Sequence, residues 1–194
     1  MSSQWLGLGA FVRPDTFLSR LHWRDLFVTG TRRDDVLTVD QPALLVSTFR
    51  GDDDVTLDAW VNFVDLGRGD DTLLATETVR YVDAGRGDDS VVLEADAKSV
   101  DLGRGNDDLT LDQLIDYADG GRGQDTLTLN FNTGDVDLAW RGNKLILTDR
   151  FSGEEMVARR FETVEFADRS FTKAELKEAF GRNAEAPFIT VADG

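Results

Sequence analysis

Leu66-Gly-Arg-Gly-Asp-Asp-Thr-Leu, Ala84-Gly-Arg-Gly-Asp-Asp-Ser-Val, Leu102-Gly-Arg-Gly-Asn-Asp-Asp-Leu and Gly120-Gly-Arg-Gly-Gln-Asp-Thr-Leu are near copies of one phrase. Their second residues, Gly67, Gly85, Gly103 and Gly121, are 18 apart each time, with no insertion. The same step taken backwards reaches Phe49 and Thr31, where the phrase survives in weaker form as Arg50-Gly51-Asp52-Asp53 and Arg32-Arg33-Asp34-Asp35. A strict short period means like coils stacked along one axis, each burying its apolar side only against its neighbours.

Written in rows of 18, the chain reads by column. Leu37, Val55, Leu73, Val91, Leu109 and Leu127 form one apolar column, and Val39, Leu57, Ala75, Leu93, Leu111 and Leu129 form another two places on. An alternation of period 2 predicts a short strand. Val64, Val82, Val100, Ala118 and Val136 predict a second strand in each coil, with Leu66, Ala84, Leu102 and Gly120 beside it. Stacked strands lie about 4.8 Å apart, so six coils make a rod of roughly 29 Å with a thin core. The Gly columns mark the turn between the strands, where positive φ and close backbone approach are needed.

Charge is concentrated in the same stretch. Thr31 to Asn130 holds 23 Asp/Glu against 9 Lys/Arg, a net of −14 out of −16 for the chain. Asp35, Asp53, Asp71, Asp89, Asp107 and Asp125 form one acidic column, and Asp65, Asp83, Asp101, Asp119 and Asp137 form a second. Like charges stacked in register repel. Two sources of compensation are present in the sequence: the Arg column (Arg32, Arg50, Arg68, Arg86, Arg104, Arg122), or bound cations. Exposed ion pairs contribute only about 0–1 kcal/mol each, which favours the cations.

Gly120-Gly-Arg-Gly-Gln-Asp-Thr-Leu-Thr matches G-G-x-G-x-D-x-U-x in full, and the chain therefore resembles the RTX (repeats-in-toxin, hemolysin-type) calcium-binding β-roll family. The other three strong rows match from the second Gly onward. The resemblance implies Ca2+ held between stacked turns. Asp71, Asp89, Asp107 and Asp125 would supply side-chain ligands, and carbonyls near Gly67, Gly69, Gly85, Gly87, Gly103, Gly105, Gly121 and Gly123 would complete an all-oxygen shell. Only one half of each 18 carries Gly and Asp, which departs from the family's two motifs per coil and implies one row of sites. Four good turns imply three inter-turn sites. The segments Asn143 to Phe151 and Phe161 to Asp168 resemble the stretch that closes such a roll.

The fold expected is all-β: a right-handed parallel β-roll or β-solenoid with 18-residue coils and short helical capping segments at both ends. Residues 1–30, rich in Trp, Phe and Leu, are expected to cap one end. Residues 31–148 form the roll, although the repeat decays from Asp137, with Leu145 and Leu147 still in phase. Residues 149–194 form the second cap. There Thr172 and Glu175 make a capping box ahead of a helix that stops at Gly181.

The chain has no Cys, so disulfides and thiolate sites are absent. Its charge makes nucleic acid a poor partner. No transmembrane segment or Sec signal peptide is read; the resemblance implies type I export on a C-terminal signal and an extracellular location. One His, His22, and carboxylates already explained by a ladder make no catalytic constellation, so the chain is read as a non-enzyme. Arg-Gly-Asp at Arg50, Arg68 and Arg86 is a by-product of neighbouring columns. The alternative to calcium is a metal-free solenoid stabilised by Arg/Asp ladders, meeting an extracellular protein or polysaccharide with a flat face. An ice-binding Thr ladder is interrupted at Leu74 and Val92.

Overall fold

A computed structural model describes residues 26–181. Strands alternate between two sheets along the chain. The first are β1 (Phe27–Thr29), β2 (Val36–Val39), β3 (Ala43–Ser47), β4 (Asp54–Leu57), β5 (Val61–Asp65) and β6 (Thr72–Ala75). They are followed by β7 (Val79–Asp83), β8 (Ser90–Leu93), β9 (Ala97–Asp101), β10 (Asp108–Leu111), β11 (Tyr117–Asp119) and β12 (Thr126–Leu129). Odd strands stack in parallel in one sheet and even strands in the other. Partners are 18 residues apart, as in Leu73↔Val91 and Val82↔Val100. The result is a β-solenoid of about six coils.

Each coil has a short side and a long side. From β6, the three residues 76–78 turn the corner into β7, and the Gly-rich stretch 84–89 leads back into β8. The even strands bury alternate residues, as the period requires: Leu73 and Ala75, then Val91 and Leu93. The odd strands do not alternate. Val61 and Val64 are both fully buried, as are Val79 and Val82, and the pairing skips Asn62 and Arg80. A local kink thus turns two residues three apart to the same side. It creates an inward column that period-2 reading overlooks: Ala43, Val61, Val79, Ala97 and Ile115. Together these columns fill one continuous apolar core along the axis.

The end of the solenoid departs from the expected phase. Val136 and Asp137 do not stack on Ala118 and Asp119. The chain instead forms β13 (Val136–Arg141), which pairs antiparallel with β14 (Lys144–Asp149) across a two-residue turn at Gly142 and Asn143. Gly142 takes φ 65°, which such a turn demands. Next, β15 (Glu155–Arg159) runs parallel to β11, so Ala158 lies beside Ala118 and Arg159 beside Asp119. Leu145 and Leu147 are also displaced. Their expected places beside Leu127 and Leu129 are taken by Val164 and Phe166 of β16 (Thr163–Phe166). β17 (Ser170–Thr172) then adds antiparallel to β16.

Helix α1 (Lys173–Phe180) follows directly. Thr172 accepts from the Glu175 amide, and the Glu175 carboxylate accepts from the Thr172 amide at 2.7 Å, as the capping box predicts. The Gly181 amide donates to the Lys177 carbonyl at 3.1 Å and ends the helix. Leu176 is buried against the roll, and Phe131, Phe166, Phe171 and Phe180 stack edge to face with centroids 6.1–6.2 Å apart. This end is therefore closed by apolar contact. Most of the N-terminal cap expected over residues 1–30, together with His22 and the tail from Pro187, lies outside the described residues. No helix among the described residues is long and apolar enough to cross a membrane.

Candidate functional site

The Gly-rich turns place the Gly and Asp residues expected as ligands on one long edge. Gly85 and Gly87 illustrate why. Their φ values are 101° and 133°, and a Cβ on either would collide with the carbonyl oxygen of Gly67 or Gly69 in the turn below. Only glycine lets the turns nest this closely. The weaker turn adopts the same path with Phe49 at φ 71° in the place of a glycine. Between nested turns, the Arg86 amide donates to the Gly67 carbonyl and the Gly69 amide to the Arg86 carbonyl, and the next coils repeat this at Arg104 and Gly87. The carbonyls of Gly69, Gly87 and Gly105 receive no backbone donor among the described residues.

Inside each turn sits the aspartate that recurs every 18 residues, and from Asp53 to Asp125 these are buried. Asp53, Asp71, Asp89, Asp107 and Asp125 are at most 2% exposed. They hydrogen-bond head to tail. The Asp53 amide donates to Asp71 Oδ1 at 2.8 Å, Asp71 to Asp89 at 2.9 Å, Asp89 to Asp107 at 2.9 Å and Asp107 to Asp125 at 3.1 Å. An outer ladder runs the opposite way: Asp70 donates to Asp52, Asp88 to Asp70, Asn106 to Asp88 and Gln124 to Asn106.

The inner ladder satisfies one carboxylate oxygen per rung and leaves the other bare. Oδ2 of Asp53, Asp71, Asp89, Asp107 and Asp125 is buried with no hydrogen-bond partner. An orphaned buried acceptor costs about 1–3 kcal/mol, and more when charged. Burial, with repulsion from neighbouring rungs, pushes the carboxyls of Asp71 and Asp107 up to about 7 and that of Asp89 to about 8. Asp125 is pushed to about 6 by burial and by Glu162, with Lys173 and Arg160 pulling the other way.

The Arg column does not supply the missing charge. Arg68, Arg86, Arg104 and Arg122 stack as parallel bridges with exposed side chains. Among the described residues none of them forms an ion pair. The ladder of paired Arg and Asp allowed by the sequence is thus not formed. The second acidic column behaves differently. Asp65, which is half-buried, and Asp83 and Asp101, which are exposed, also have carboxyls raised by partial desolvation, but Asp119 ends on protein cations. Arg160 and Arg159 both bind its carboxylate, and the Tyr117 hydroxyl donates to it at 2.8 Å. Burial pulls Asp119 up, but these bonds outweigh it and hold the carboxyl below its ordinary value.

Chemically, the edge offers one unpaired carboxylate oxygen per rung and a row of backbone carbonyls. Among the described residues no three acidic side chains converge on one point, so any cation here takes backbone oxygens as well. Such a donor set suits a hard cation and not a soft one. Of the residues expected from sequence, all twelve lie on this edge. Asp53 joins them through its column, although its turn is degenerate. Glu162 joins as well, and no periodicity points to it: the Asp125 amide donates to its Oε2 at 3.1 Å. A scan of known protein-family models gives no match for the chain, and neither does a search of curated proteins.

Proposed function

We propose that the protein is a calcium-binding β-solenoid of the RTX type, folded by Ca2+ taken up between its stacked Gly–Asp turns. The observation that carries this reading is the set of five buried aspartate oxygens without partners. Asp71, Asp89, Asp107 and Asp125, joined by Asp53, would hold the ions, with carbonyls of the turn glycines completing the shell. Bound calcium supplies the positive charge and oxygen coordination that the protein groups leave wanting. The chain's own part is to bury the carboxylates, aim them by the Oδ1 hydrogen bonds, and exclude water by close nesting at the glycines. Without the ions, the net charge of −14 over Thr31 to Asn130 favours an expanded chain.

Calcium modules that work outside cells have affinities of about 10⁻⁴–10⁻³ M, and coupling to folding makes uptake cooperative. This suits a secreted or surface-associated protein, where the ion is plentiful. A flat sheet face is then available to an extracellular protein or polysaccharide.

A second reading has one observation in its favour. The Oδ1 ladder is complete without metal, and carboxyls raised to about 7 and 8 can keep a proton on Oδ2 near neutrality. The protein would then be a metal-free interaction scaffold. Circular dichroism separates the two. On the calcium reading, the chain in EDTA at pH 7.5 lacks β signal and gains it with calcium but not with magnesium. A β spectrum that is complete in EDTA at that pH supports the scaffold instead.

A further inference from the structure

We infer that Glu162 is the last carboxylate of the inner ladder, and that the Lys173 ammonium is its resident cation, closing the row where a bound ion would otherwise sit. The inference rests on the calcium reading for the inner rungs. Its basis is a comparison of what the second oxygen of each carboxylate meets. At the first rung, Asp35 Oδ2 accepts from the Thr31 amide at 2.6 Å and from the Thr31 hydroxyl at 3.0 Å. At the next five rungs the corresponding oxygen has no partner. At Glu162 the pattern resumes and then changes. Oε2 takes the ladder bond from the Asp125 amide, as each Oδ1 does below it, and Oε1 receives the Lys173 ammonium at 2.6 Å.

Glu162 and Lys173 are not repeat residues. Glu162 lies 37 positions after Asp125, immediately before β16, where one more repeat would have placed Asn143. Its backbone is built into the stack, since the Glu162 and Thr163 amides both donate to the Asp125 carbonyl. Lys173 opens α1, and its amide donates to the Glu162 carbonyl at 2.8 Å. The helix cap thus fixes the ammonium over the end of the acid row. The second acidic column ends in the same manner, with Arg159 and Arg160 on Asp119. Both acid columns therefore meet fixed protein cations at the C-terminal end and nowhere else among the described residues. A mobile ion at the last gap would have to displace or tolerate the ammonium, so that gap takes none.

The test is calcium stoichiometry by isothermal titration calorimetry on the full chain, with circular dichroism confirming that each variant folds in calcium. Lys173→Met removes the ammonium and keeps the apolar stem. It is expected to bind one more calcium per chain than the wild type, while Lys173→Arg binds the wild-type number. Glu162→Gln combined with Lys173→Met removes both charges and is expected to return to the wild-type number. The same stoichiometry in Lys173→Met as in a calcium-binding wild type overturns the inference. A wild-type chain that takes up no calcium overturns the underlying reading instead. If Lys173→Met fails to fold in calcium, Lys173→Gln takes its place with the same two outcomes: one calcium more than the wild type supports the inference, and the wild-type number overturns it.

Discussion

At the scale of single residues, the inner aspartates set the behaviour of the molecule. Their carboxyls are raised to between about 6 and 8 without metal, against an ordinary value of 3.8. Between roughly pH 4 and 8 the metal-free folded chain thus holds more protons than the unfolded chain. Its stability is present at low pH and is lost as pH rises through the folded values. In EDTA the β signal by circular dichroism should therefore be lost as pH is raised from 5.5 to 7.5, because stability falls by roughly 1 kcal/mol per pH unit or more. Saturating calcium should reverse the trend, because protons compete with the ion for the same oxygens. Stability in EDTA that rises with pH would contradict the assigned burial. The Asp column was legible in sequence because its phase is strict. Glu162 was not, because it reaches the ladder through a strand that has left the 18-residue step.

At the scale of elements, turns and strands differ in how plainly the sequence announces them. The turn is written in glycines because its φ values and nesting exclude a Cβ. Gly87→Ala should cost about 1–3 kcal/mol for the φ of 133° alone, with the collision against Gly69 in addition. Gly134→Ala, with nothing within 4 Å of its added carbon, should change stability by less than about 0.5 kcal/mol. Calcium-saturated thermal unfolding of both variants checks the contrast; equal losses would contradict it. The even strands were legible from their alternation. The odd strands were half legible, since the kink at Asn62 and Arg80 brings Val61 and Val79 inward out of period. The closing hairpin was missed, although Gly142-Asn143 between two apolar alternations is a recognised two-residue turn signal. Phase continuity at Leu145 and Leu147 concealed it. Those residues are buried, but in the hairpin and not beside β12.

At the scale of the whole molecule, the solenoid separates two tasks. Apolar columns hold the coils together along the core, and the C-terminal end is finished by α1 and a row of four aromatic rings. The long edge gathers the charge, where hydrogen bonding settles one oxygen of each inner aspartate and leaves the other without a partner. The architecture could be read from the 18-residue step alone, because only stacked coils bury such columns. The end of the roll could not, because antiparallel strands there obey local turn chemistry and not the repeat. The most direct test of the central claim is a crystal structure grown in calcium, with anomalous data to identify the ions. The account predicts calcium between adjacent Gly–Asp turns, each ion touching an Oδ2 of Asp53, Asp71, Asp89, Asp107 or Asp125 together with turn carbonyls. Turns nested as here in saturating calcium, with those oxygens bound only by protein groups or protons, would contradict it.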